Sequence, residues 1–182
     1  VMVKGRVVND LYDTAHTLVR HLPGGLAIAT IAACTVFAAI SGSSVATALT
    51  IGSIAIPQML RYNYSRPTVF GSVAAGGTLG ILIPPSLPMV LYAFVAETSI
   101  GALFMAGVIP GLMLAALFAF YAVIVETNHQ RNLGPGYRRP PRATLPEIGA
   151  ALRKSAWALT LPPFVLGGMY LGVFTATEAA AM

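Results

Sequence analysis

From residue 26 to residue 95 the only charged side chains are Arg61 and Arg66, and the apolar stretches in this region are either short or interrupted. Charged residues make up 9% of the whole chain and hydrophobic ones 56%, with mean hydropathy +0.75. A soluble domain carries about 25% charged residues, so this chain lacks the polar side chains needed to cover its own surface in water. Its solvent is lipid. The fold class that follows is an all-α membrane protein.

The interruptions are the informative part. Apolar runs at 26–40 and 45–60 each fall short of the ~20 residues that a crossing helix needs. Between them lies Ser41-Gly42-Ser43-Ser44, small, polar and uncharged. Two short helices and such a tip predict a re-entrant hairpin whose tip is shielded inside the membrane; a pair of tight spans with a small outside turn is the alternative. The run 69–95 is long enough to span, but it contains Gly76-Gly77-Thr78-Leu79-Gly80 and then Pro84-Pro85-Ser86-Leu87-Pro88. Three prolines cannot continue a helical ladder, which predicts a helix broken inside the membrane, or more simply a kink in a packed bundle. A further span is expected at 100–125 with a kink at Pro110-Gly111, and a last one at 155–174 containing Pro162-Pro163. The chain opens with an amphipathic helix at 7–22. Its stripe is Val7, Val8, Leu11, Tyr12, Ala15, Leu18, Val19 and Leu22, suited to a membrane surface or a partner helix. Thr144-Leu145-Pro146-Glu147 and Thr175-Ala176-Thr177-Glu178 read as helix starts. The expected organisation is a surface arm helix (1–22), a hairpin (23–60), a broken helix and following span (61–125), a cytoplasmic connection with an arm helix (126–154), and a span leading into another element (155–182).

Net charge +5 and pI 9.7 would suggest nucleic-acid binding in a soluble protein. Here the bases cluster between apolar runs and report topology, so no nucleic-acid partner is expected. The connection with Arg131, Arg138, Arg139, Arg142, Arg153 and Lys154, the turn with Arg61 and Arg66, and the basic start all fall on the cytoplasmic side if 26–60 returns to the side it left. The turn at Glu97 falls outside. Cys34 cannot form an internal disulfide, and His16, His21 and His129 show no metal spacing. No paired carboxylates or nucleophile motif support an enzyme. The chain begins at Val1 with neither an initiator Met nor a signal-peptide pattern and stops at Ala179-Ala180-Ala181-Met182, just into what reads as a new helix, so both ends are expected to be cut from something longer.

A hairpin tip and a broken helix together resemble the way secondary transporters build their sites. Helix N-termini offer N–H groups to an anion, while unwound carbonyls and hydroxyls bind Na⁺. The candidate Na⁺/substrate-binding residues are Ser41, Gly42, Ser43, Ser44 and Thr47 at the tip, and Gly77, Thr78, Gly80, Pro84, Pro85 and Ser86 at the break. The serines and threonines supply oxygens, the glycines close approach, and the prolines unpaired carbonyls. No cofactor is expected beyond Na⁺ as coupling ion. The same small residues can instead serve close helix packing.

Pro23-Gly24-Gly25-Leu26-Ala27, Ser41-Gly42-Ser43-Ser44-Val45-Ala46 and Ile56-Pro57-Gln58-Met59 resemble the first hairpin of the large transmembrane subunit of TRAP (tripartite ATP-independent periplasmic) transporters. The segment from Gly77 to Ser86 is similar to that family's broken helix. Ala106-Gly107-Val108-Ile109-Pro110-Gly111 and Phe174-Thr175-Ala176-Thr177-Glu178 match later segments in the family's order. Ala176 stands where the family usually has Pro, and Asn63 where it usually has Gly. The resemblance implies a DctM-like N-terminal-half fragment, one inverted repeat of an elevator-type transporter in the bacterial inner membrane. It implies Na⁺-coupled import of an organic acid such as a C4-dicarboxylate or sialic acid. The implied partners are a small transmembrane subunit and a periplasmic substrate-binding protein. A carboxylate carrier without a binding protein, or a passive channel or structural subunit, are the alternatives.

Overall fold

A computed structural model describes residues 7–22, 24–132 and 143–171, and among these all regular structure is helical. The order is α1 (Val7–Val19), α2 (Gly25–Ser41), α3 (Ser44–Arg61), α4 (Arg66–Thr78), a 3₁₀ turn α5 (Leu79–Ile81), α6 (Leu87–Val95), α7 (Ile100–Asn132) and α8 (Leu145–Tyr170). The two short apolar runs form α2 and α3, each ending within a residue of the expected place.

α2 is the centre of the molecule. It packs against α1, α3, α4, α5, α7 and α8. Its buried residues, including Leu26, Ala29, Thr30, Ile31, Cys34, Phe37 and Ala38, point in all directions. A helix apolar all round belongs in a core, and its many alanines let neighbouring backbones approach closely. At its start Gly24 takes φ 75°, and the Leu26 N–H donates to the Tyr64 hydroxyl at 3.2 Å. Tyr64 sits in the turn between α3 and α4, so this bond ties the open end of the hairpin to the base of the next helix. In the same turn Asn63 adopts φ 58°. Asn tolerates the left-handed region better than most non-glycine residues, so it can fill a position where the family favours Gly.

α1 lies against partner helices rather than exposing its stripe. Val8, Leu11 and Tyr12 are buried, packed towards α2 and α8. The Tyr12 hydroxyl is 3.4 Å from Thr30 Oγ1, and burial pushes its pKa up to about 12. The regular helix stops at Val19, before Leu22, and Leu18 and Leu22 are 41% and 40% exposed, less engaged than the amphipathic pattern implied. A polar seam joins α1 to α8. The hydroxyls of Thr14 and Ser155 lie 2.6 Å apart, Ser155 donates to the Asp10 carbonyl (2.7 Å), and Thr14 Oγ1 is 2.9 Å from the Ala151 carbonyl. Glu147 serves twice, accepting from the Thr144 N–H at 3.1 Å as half of the expected capping box and pairing with Arg20 at 2.6 Å.

Two expected boundaries move. α7 runs unbroken through Pro110 and on to Asn132, so Glu126 lies within a helix and is 1% exposed. α8 begins at Leu145 and includes Pro162 and Pro163. The connection expected over 126–154 is therefore largely helical at both ends; Arg138, Arg139, Arg142 and the 175–178 start lie outside the described residues. One described helix is long and apolar enough to cross a membrane, over Ile100–His129; α2 is apolar but shorter.

Candidate functional site at the hairpin tip and helix break

The tip of the hairpin is seated on the break in the neighbouring helix. Gly42 ends α2 at φ 60°, a conformation that is inexpensive only for glycine. A β-carbon there would stand 2.7 Å from the Pro85 carbonyl oxygen. The Gly42 carbonyl faces the N-terminus of α6, with the Leu87 N–H 3.4 Å away. On the other side of the break, a β-carbon on Gly80 would fall 2.7 Å from the Ser44 nitrogen, and one on Gly77 2.8 Å from Ala48 Cβ. Glycines at 42, 77 and 80 are thus what allow backbone to meet backbone.

The hydroxyls are ordered by their own elements. Thr47, fully buried, donates to the Ser43 carbonyl at 2.7 Å. Its single proton is then committed, so Ser41 is the donor in the 3.0 Å contact between Ser41 Oγ and Thr47 Oγ1. Ser41 keeps lone-pair capacity for a cation. Ser43 caps α3 through the Ala46 N–H at 3.4 Å. Ser86, 1% exposed, donates to the Ile81 carbonyl at 2.8 Å, spanning the break and satisfying an oxygen that the missing helical turn leaves open. The chain between the 3₁₀ turn α5 and helix α6 contains a cis Pro84–Pro85 bond, and Pro84 is fully buried.

Of the eleven candidate residues, ten gather at this junction in backbone or side chain. The Thr78 side chain does not: it is exposed and bonded to the Ala75 carbonyl at 2.7 Å, the ordinary behaviour of a threonine in the last turn of a helix. The candidate set also omits Gly107 and Gly111 on α7. β-Carbons there would stand 2.8 Å from the Leu82 carbonyl and 2.9 Å from Ile83 Cγ1, so these glycines let α7 lie against the break. Their Gly-x-x-x-Gly spacing was the available signal.

α7 also measures the depth of the junction. Gly107, beside the break, lies about two turns (~10 Å) from Ile100. Ala122, which touches Gly24 at the open end of the hairpin, lies roughly four turns (~22 Å) beyond Gly107 in the other direction. The tip is therefore set inside the length of α7, well short of either end.

A charge-poor helical chain with a hairpin tip seated on a broken helix has the build of a transporter's membrane subunit. The family model for the DctM component of the tripartite ATP-independent periplasmic transporters matches residues 1–182, and the chain belongs to that family. It is 48% identical over 181 residues to the C4-dicarboxylate TRAP transporter large permease protein DctM of Pseudomonas aeruginosa, covering 100% of this chain and 41% of that protein. It is 39% identical to the ectoine TRAP transporter large permease protein TeaC of Halomonas elongata, with the same coverages. It is 40% identical to the isethionate TRAP transporter permease protein DctMQ of Oleidesulfovibrio alaskensis, covering 100% of this chain and 28% of that one. The chain thus spans less than half the length of these relatives. All are named as transporter permeases rather than enzymes.

Proposed function

We propose that this chain is part of the large membrane subunit of a Na⁺-coupled importer of organic anions in the bacterial inner membrane. It works with a small membrane subunit and a periplasmic substrate-binding protein. The hairpin α2–α3 is re-entrant, and its tip with the break forms half of the transport site, carried by an elevator motion. The observation that supports this best is the depth of the tip. Ile100 to Ala122 covers ~33 Å of helix, close to the ~30 Å hydrocarbon core, and the tip lies about a third of the way in. Backbone left open at that depth needs protein, ion or substrate as its partner. The relatives' names include a C4-dicarboxylate, isethionate and ectoine, and the small anionic members of that group suit a site made of N–H groups, hydroxyls and a coupling cation.

The test is uptake by the full-length subunit with its partners in proteoliposomes. Ser41→Ala, Ser43→Ala and Ser86→Ala should each raise the Na⁺ concentration for half-maximal uptake. Losing one oxygen in a dry site costs roughly 1–3 kcal/mol, about five- to a hundredfold in affinity. Unchanged Na⁺ dependence in all three variants would remove the cation from this junction.

A further inference from the structure

Between α4 and α7, on the side away from the hairpin tip, lies a crevice of about 240 Å³ lined by residues that include Ile31, Pro67, Gly71, Ala75, Phe118 and Tyr121. Two of its three hydroxyls are already satisfied by α4 and its cap: Thr68 with Ser65 at 2.8 Å, and Ser72 with the Val69 carbonyl at 3.1 Å; the third belongs to the exposed Tyr121. The rest of the lining is apolar. An apolar cavity of ~150 Å³ accepts one benzene, so this crevice has room for several methylene groups. Its lining includes Pro67, which follows Arg66 at the start of α4, in the turn that Arg61 enters from α3. Both arginines are exposed, and neither forms an ion pair with a described carboxylate.

We propose that this crevice and the Arg61–Arg66 turn form a binding site for an anionic phospholipid. One acyl chain lies along Gly71 and Ala75, between α4 and α7, and the head-group phosphate pairs with the arginines. The assignment rests on the membrane reading above, which puts that turn at the cytoplasmic leaflet, where anionic lipids attract juxtamembrane bases. Charge complementarity selects the occupant: a protein helix would fill the apolar crevice equally well but would have no need of two exposed cations in the turn beside it. Gly71 gives the site a clean probe. A β-carbon there meets nothing within 4 Å, so Gly71→Leu can fill the crevice from α4 without disturbing the fold, and leucine favours the helix.

The experiment is native mass spectrometry of the full-length subunit in detergent, titrated with phosphatidylglycerol and with phosphatidylcholine. The expected result is tighter binding of phosphatidylglycerol. The double variant Arg61→Gln/Arg66→Gln should weaken it at least about fivefold and erase the head-group preference. Gly71→Leu should reduce binding of both lipids while leaving the melting temperature unchanged or higher. Equal binding of the two lipids by the unaltered protein overturns the proposal. So does indifference to Gly71→Leu, which would mean that the rest of the subunit fills the crevice, and so does indifference to the arginine change. A protein that stays monodisperse without detergent would fail the membrane reading itself, before any lipid is added.

Discussion

Single atoms decide whether the tip meets the break. Gly80 has no room for a methyl group: its β-carbon would press on the Ser44 nitrogen at 2.7 Å, and backbone on both sides cannot yield cheaply. Gly80→Ala should therefore destabilise the subunit by about 1–3 kcal/mol and sharply reduce uptake. Gly71→Ala, in the preceding helix α4 and in open space, should stabilise by up to ~1 kcal/mol. Melting curves and uptake on the two variants check the contrast, and similar behaviour of both would contradict the seating. Asn63 is a second residue-scale test. At φ 58°, Asn63→Val should cost about 1–2 kcal/mol and Asn63→Gly should be neutral or mildly stabilising, again read from the melting temperature. The sequence pointed to Gly42, Gly77 and Gly80 because runs of glycine and serine in an apolar stretch are conspicuous. It placed Thr78 with them only because sequence does not say which way a side chain turns.

Among the elements, the arm α1 is held by Leu11 and Tyr12 and by the hydroxyl seam to α8 rather than by its whole apolar stripe. Leu11 is 3% exposed. Leu11→Asp should cost about 3 kcal/mol or more, from lost packing and a buried charge, and lower complex yield or uptake without preventing membrane insertion. Leu18→Asp, at a 41% exposed position, should be far milder; equal effects would mean that the stripe rests on lipid instead. Ser155→Ala removes one hydrogen bond from the Asp10 carbonyl and one from the Thr14 hydroxyl, each of which keeps another partner, and should cost roughly 1 kcal/mol, measurable by thermal denaturation. The period of apolar residues revealed that α1 exists. That it binds α2 and α8 depended on how those helices fold back on it, and that Thr14 is buried in the seam depended on Ser155, 141 residues away.

For the whole molecule, the proposed re-entrant hairpin, with the 61–66 turn at the cytoplasm, makes accessibility the decisive measurement. In intact cells, Ser43→Cys in the full-length subunit should resist a bulky impermeant reagent, while Glu97→Cys should react from the periplasmic side. Rapid labelling at 43 would mean an ordinary pair of spans. Sequence alone determined the solvent and the helices, because charge scarcity and the position of Gly, Pro and Ser act locally and survive in any fold. It also determined that the chain is interrupted at 41–44 and 76–88. It did not determine that these two interruptions touch, that α7 carries the glycines that admit the break, or that Tyr64 fastens the hairpin's open end. Those are close contacts between segments distant in the chain, and only the packing of α2 at the centre of its neighbours brings their backbones within reach.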